Sequence, residues 1–217
     1  MRKILLGLFL LLGQALVAET TLTERLEITP LQPSDWAVFF EINRDDQVLQ
    51  NANVNISDPE AFFGDWFKRL VAGNRDYQTG WRPEGMGFLV KIRSGEVIGT
   101  MMCDQGAGDY WETTTVLAPK YWKLGYGTEA RTAMLPFYFD SLKVSGLVAT
   151  ISEGNTGSTK ITQSLGFTLT QTNVKRGSLT RDRKKEWNQY TLTADAYRRQ
   201  REPCRFHGLA PKPQEEN

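Results

Sequence analysis

The sequence predicts a mixed α/β domain in which antiparallel hairpins come first and a strand–helix–strand unit follows. Short runs rich in β-branched residues recur along it, "FLVKI", "VIGTMMC", "TTTVLAP" and "GLVATIS", each bounded by turn residues. Between them lie stretches with helical apolar spacing, of which Phe62, Phe63, Trp66, Phe67, Leu70 and Val71 form the clearest face. With 217 residues, 40% of them hydrophobic, no internal repeat and no long linker, the chain suits one packed domain plus tails.

"TERLEITPL" alternates apolar and polar residues as a half-buried strand does, and "QPSDW" then offers Ser34 or Asp35 as the cap of a helix carrying Trp36, Phe39, Phe40 and Ile42. Asp58-Pro59-Glu60 starts a second helix, with a capping carboxylate, proline at the first helical position and an acid in the first turn. Its aromatic face is read as core, with a substrate cleft as the alternative. "FLVKI", the turn "RSGE" and "VIGTMMC" make a hairpin, and "TTTVLAP" is a further strand stopped by Pro119. A helix runs to about Phe139, with Pro136 kinking it or marking its last turns. The strand "GLVATIS", a helix over residues 156–165 and strands at "FTLTQT" and "WNQYTLT" complete the domain, set at residues 19–197. Residues 198–217 form a tail that begins as a helical continuation and ends in a composition typical of disorder.

A formal net charge of +1 steers the chain toward neither nucleic acid nor a membrane surface, so any ligand charge must be met locally. The one histidine, His207, and two distant cysteines, Cys103 and Cys204, argue against a histidine triad and a Cys/His metal site; no metal is expected. Cys103, inside an apolar strand, reads as a small buried hydrophobe, while a Cys103–Cys204 disulfide stays open if the chain is exported. "MRK", the apolar "ILLGLFLLLGQALV" and Ala18 have the form of a signal peptide over residues 1–18, too short and too interrupted for a stable membrane span. That implies a periplasmic or secreted protein; an uncleaved anchor, or a misassigned start codon and a cytoplasmic protein, are the alternatives. "VKRGSLTRDRKKEW" carries six basic residues on the last hairpin, read as a solvated turn rather than a clamp for an acidic ligand.

Two stretches carry chemistry. In "YWKLGYGTEA", Gly125 and Gly127 allow a tight path between a strand end and a helix start, where free amides converge as they do at phosphate sites; a simple helix-starting turn is the bland alternative. In "ISEGNTGSTKITQSLGF", Asn155 and Ser158 stand three apart after a strand, and Leu165-Gly166-Phe167 ends the next helix. Helix capping by Asn155 or Ser158 and a glycine stop at Gly166 would account for the same residues.

Together these stretches resemble the GNAT acyl-CoA N-acetyltransferase superfamily, most closely the branch that includes the ribosomal-protein-alanine N-acetyltransferases. "TERLEITPL" is similar to its first strand, "VIGTM" to its middle strand, "LAPKYWKLGYGTEA" to its pyrophosphate-binding strand–loop–helix, and the "NTGS" and "SLGF" pair to its late signature. The resemblance implies a mixed central sheet with splayed middle strands flanked by helices. It implies acetyl-CoA as co-substrate and an amine acceptor, a small molecule or a protein N-terminus. By position, the backbone of Leu117 would pair with the pantetheine arm, and the amides of Lys123, Leu124, Gly125, Tyr126, Gly127 and Thr128 would hold the pyrophosphate. Asn155 would bond the coenzyme arm, and Ser158 would protonate the departing thiolate.

Glu112 falls on the branch's acidic position at the start of its strand, a base or a solvated strand-end acid. Lys123 replaces a glycine, Leu124 a basic residue, and the threonine run 113–115 a more aromatic one, so a binding module with a decayed cofactor site is the alternative to an active enzyme.

Overall fold

The computed structural model describes residues 20–175 and 180–202. The signal-like residues 1–18, Cys204, His207 and the end of the tail lie outside the described residues. Eight strands form one sheet: β1 (Thr21–Leu22), β2 (Leu26–Pro30), β3 (Gly85–Ile92), β4 (Val97–Gln105), β5 (Tyr110–Leu117), β6 (Gly146–Ser152), β7 (Thr168–Gln171) and β8 (Trp187–Thr193). Their spatial order is β1-β2-β3-β4-β5-β6-β8-β7. The helices are α1 (Trp36–Asn43), α2 (Asp46–Asn51), α3 (Pro59–Gln78), α4 (Tyr126–Pro136), α5 (Thr156–Ser164) and α6 (Ala194–Arg201).

Every neighbouring pair is antiparallel except β5 with β6, which α4 joins as a parallel crossover. That parallel pair is short. Tyr110, Trp111 and Glu112 face Gly146, Leu147 and Val148, and the ladder stops there. Beyond it β5 stays paired to β4 as far as Leu117, and β6 to β8 as far as Ser152. Two intact half-sheets therefore diverge and leave a wedge whose facing backbone edges lack each other as partners, the splay that the family resemblance implies.

Alternation along the strands builds a core on each face. Leu26, Ile28, Phe88, Met101, Trp111 and Leu147 pack under α4 on one side. Leu31, Phe39, Phe63, Phe67, Leu70 and Met102 pack under α1 and α3 on the other. Gly73 and Gly85 let α3 approach β3 closely, since a Cβ on Gly73 would collide with the Gly85 carbonyl. The buried Asn74 amide donates to the carbonyls of Leu31 and Gly87, at 3.2 and 2.8 Å, which ties α3 to β2 and β3.

Details depart from the sequence expectation. "TERLEITPL" is a turn followed by β2, because Thr23 pairs back to Leu26, its hydroxyl accepting from the Leu26 amide at 2.8 Å. Asp35 precedes α1, but its carboxylate accepts from the Gln32 amide and not from the helix. Asp58 caps α3 as expected, accepting from Ala61 N at 3.0 Å. Helix α2, capped by Asp45, has no counterpart in the sequence reading, being too short to show a period. Pro136 ends the regular part of α4, and residues Phe137–Ser141 continue in a wider turn. The terminal helix runs on through Arg201.

Candidate active site

The wedge between β5 and β6 opens into cavities on both faces of the sheet. On the α5 side, a cleft of about 160 Å³ is lined by residues 113–117 of β5, by Trp122 and Arg131, and by Ser152, Asn155 and Ser158 at the β6–α5 junction. On the α3 side, a cavity of about 730 Å³ is walled by Phe62, Phe63 and Trp66 of α3, by Val48 and Leu49 of α2, and by Val54 and Ile56 after it, with Asp104, Glu112 and Thr150 on the sheet. Val48, Ala52, Thr114, Val116, Thr150 and Trp187 line both, so the spaces communicate through the wedge.

The stretch "YWKLGYGTEA" forms the loop before α4. Lys123 and Gly125 both take positive φ, 62° and 84°, which turns the chain sharply and makes Gly125 the helix cap. Glycine supplies that conformation without strain. Among the described residues, the backbone amides of residues 123–128 make no hydrogen bond, since Gly125 has no side chain to cap the helix. They stand at the N-terminus of α4, the end where a helix dipole favours an anion.

Arg25, at the start of β2, braces this loop. Its guanidinium donates to the Leu124 carbonyl at 3.0 Å, lies over the Tyr126 ring and forms a salt bridge with Glu129 at 2.6 Å. Glu129 in the first turn of α4 would otherwise repel an anion. Burial alone would raise its pKa, but bonds from Thr23 and Arg25 outweigh it and hold the carboxyl below its usual range.

The sequence-predicted residues fall into these spaces unevenly. Asn155 caps α5, its carbonyl oxygen accepting from Ser158 N at 3.2 Å, and both residues line the smaller cleft. Capping thus leaves the Asn155 amide NH2 and the Ser158 hydroxyl for other partners. The Leu117 carbonyl, at the mouth of the wedge, already accepts from the Trp122 indole at 2.7 Å, which leaves its amide toward the gap. Glu112 lies on the α3 side, at the point where the β5–β6 ladder ends, and lines the larger cavity.

Two polar residues around the wedge, Asp104 and Arg131, escaped the sequence reading. Asp104, on β4, is the cross-strand partner of Glu112, and its carboxylate accepts from Trp66 Nε1 at 3.0 Å and from Arg69 at 2.8 Å. Burial pushes the Asp104 pKa up; Arg69 and Trp66 oppose this, and Glu112 adds to it. The register of the β4–β5 hairpin would have shown the pairing, but no local signal marks Asp104. On the other face the half-buried Arg131 lies beside Phe167, donates to the Thr162 hydroxyl at 2.7 Å, and is pulled down to about 10 by loss of hydration. Cys103 is buried and free, and burial drives its thiol pKa up, which suits a packing residue.

The basic hairpin segment bears on the site through its backbone. Asn53, buried and left-handed at φ 55°, donates to the Asp182 carbonyl at 3.2 Å and accepts from the Asp182 amide at 2.8 Å, while its own carbonyl accepts from Arg181 N. The loop before β8 is thereby tied to the segment carrying Val54 and Ile56. Among the described residues, no group of three His, Cys, Asp or Glu gathers as a metal site, and no helix is long and apolar enough to cross a membrane.

The sequence profile of the GNAT acetyltransferase domain matches residues 25–168. The chain belongs to the GNAT acetyltransferase family. This GNAT domain also shares its fold with solved structures of low sequence identity. Spermidine N-acetyltransferase from Vibrio cholerae, in complex with CoA and spermine, has a TM-score of 0.65 at 12% identity, covering 81% of this chain and 99% of that one. RimJ from Mycobacterium smegmatis, in complex with CoA-disulfide, has a TM-score of 0.63 at 18% identity, covering 78% and 82%. A GNAT-family acetyltransferase from Bacillus anthracis has a TM-score of 0.62 at 20% identity, covering 82% and 99%. No curated protein sequence matches this chain. The GNAT assignment thus rests on the profile, and the neighbours add the fold.

Proposed function

We propose that this GNAT domain transfers an acetyl group from acetyl-CoA to a primary amine by direct attack within a ternary complex. The observation that carries this reading is the communication of the two cavities through the wedge, with Asn155 and Ser158 on one side and Glu112 on the other. A donor and an acceptor entering from opposite faces would meet between β5 and β6. The unbonded amides of residues 123–128, in a loop braced by Arg25, support a diphosphate at the donor end.

In this reading Glu112 takes a proton from the bound ammonium, directly or through water, and so frees the nitrogen lone pair. An α-amino group, with a reference pKa near about 8, needs less help than an alkylamine like lysine near about 10.4. Attack at the acyl carbonyl forms the C–N bond and breaks the C–S bond. Ser158 hands its hydroxyl proton to the departing thiolate and recovers one from the acylated nitrogen. Ammonium and thioester go in; amide, thiol and one proton come out.

Calorimetric titration of acetyl-CoA tests the donor half. Micromolar binding is expected, and its loss when Gly125 and Gly127 are both replaced by Glu. A folded wild-type sample that fails to bind at millimolar ligand would sink the assignment. For the base, Glu112→Gln is expected to lower kcat/KM by about a hundredfold or more, with the loss greatest below the acceptor's own pKa. Full turnover by that variant across the pH range would remove Glu112 from the mechanism.

A further inference from the structure

The smaller cleft holds a charge that the mechanism above does not use. Arg131 is the one charged side chain among the described residues that line it. Beside Arg131 lies a narrow extension of about 10 Å³, room for one water-sized group, between β4, β5, β6, α4 and the turn after α5. Arg131, Thr113 and Thr115 line both spaces, and no second charged residue among the described ones lines the extension. The Arg131 guanidinium donates to the Thr162 hydroxyl at 2.7 Å and lies over the Phe167 ring; among the described residues it has no carboxylate partner. Most of its fork of N–H donors is therefore unengaged. A cation drawn out of water and matched only to a hydroxyl and a ring weighs on the fold, and an arriving anion would offset that cost. A second group points to the same ligand. Tyr138 is 2% exposed, its hydroxyl has no hydrogen-bond partner, and it lines the extension. Burial drives the Tyr138 pKa well up, so the hydroxyl keeps its proton and serves as a donor.

We infer that the donor cleft accepts, besides acetyl, a short acyl group that ends in a carboxylate, the CoA thioester of a small dicarboxylic acid such as succinate, and favours it. The inference rests on the acyl-transfer reading above and names the acyl class of that same site. With the thioester beside Ser158, the distal carboxylate would meet the Arg131 guanidinium and the Tyr138 hydroxyl where the cleft joins its extension. Thr113 and Thr115 belong to the threonine run that departs from the family pattern, and they put hydroxyls here where an aromatic run would offer none. The diphosphate of the donor is assigned to the loop before α4, so it does not account for Arg131. An acetyl group is too short to reach these donors, and a neutral longer chain would cover them without pairing them. The transfer itself is unchanged: the C–N bond forms, the C–S bond breaks, and the distal carboxylate passes unaltered into the amide product.

Calorimetry on the full chain tests this with two non-hydrolysable thioethers, S-carboxypropyl-CoA, which stands in for succinyl-CoA, and S-butyl-CoA, its neutral counterpart. The carboxylated analogue is expected to bind at least about tenfold more tightly. Arg131→Met should bring the two analogues level, chiefly by weakening the carboxylated one, and should melt at the wild-type temperature or above because it removes an unpaired cation. Thr115→Val, which deletes a hydroxyl at nearly constant volume, should narrow the preference, and it decides the matter should Arg131→Met not fold. Equal binding of the two analogues by the wild type, or a preference that neither variant changes, would overturn the inference. So would a parallel loss of both analogues in Arg131→Met, which would place Arg131 on the coenzyme arm. Failure of the underlying reading looks different: CoA itself does not bind, and the acyl preference falls with it.

Discussion

Asp104 closes an apolar strand in sequence, yet in the fold its carboxylate is gripped by Trp66 and Arg69 and stands opposite Glu112. Burial leaves its pKa raised, so the native state holds its proton more firmly than the unfolded chain does. By linkage, stability is greatest below the unfolded pKa, near about 3.9, and falls as pH rises from there through the raised folded value. Above that value the ionised group is a constant burden on the fold. Asp104→Asn is thus expected to melt at the same temperature as the wild type, or higher, at pH 7, with the gap closing near pH 3. Thermal scans at the two pH values check this. A lower Tm at pH 7 would mean that the Arg69 and Trp66 bonds outweigh the burial.

At the scale of the element, the proposed reading puts an anion at the start of α4, and Arg25 is the side chain on which that reading depends. It restrains the Leu124 carbonyl and neutralises Glu129 on the first turn of the helix. Arg25→Ala leaves that acid uncovered beside the unbonded amides. The expected result is about a tenfold loss of acetyl-CoA affinity by calorimetry, about 1.4 kcal/mol, with a much smaller change in Tm because the pair is partly solvated. Arg25→Lys should recover part of the charge effect but not the pinned loop, since lysine lacks the planar fork. If Arg25→Ala binds acetyl-CoA as the wild type does, the brace has no bearing on the donor.

Across the whole molecule, Asn53 couples the larger cavity to the last hairpin. Its two side-chain bonds to the backbone of Asp182 hold the loop before β8 against the segment that follows α2. Asn53→Ala removes both bonds at a buried position and places alanine in a left-handed conformation, a loss of roughly 2–3 kcal/mol. Val54 and Ile56 wall the larger cavity but not the smaller cleft, so under the proposed function KM for the amine should rise while acetyl-CoA affinity stays unchanged. Parallel loss of both affinities would show instead that the substitution disturbs the wedge itself.

Much of the scaffold was legible because local rules agree with the fold. The "RSGE" turn, the Asp58 cap, the β-branched strands and the glycines before α4 each act through near neighbours in the chain, and each lies where periodicity and turn chemistry put it. Glu112, Asn155 and Ser158 could be singled out because they accompany such local patterns. Helix α2 was not visible, since six residues are too few to show a period, and the split of "TERLEITPL" depended on a hydroxyl turning back to Leu26. The face of α3 was legible as apolar, but not its division: Phe67 and Leu70 enter the core, Phe62 and Trp66 look onto the cavity, and the buried Phe63 touches both. By itself, then, the sequence determined the order of elements, the amide-rich loop and the branch-like positions around the wedge. Only the tertiary structure decided that Asp104 joins Glu112, that Arg25 guards the loop and that Asn53 holds the cavity wall. Those pairings span 8, 104 and 129 residues of chain, or cross from strand to strand, and no local preference encodes which distant side chain will arrive there.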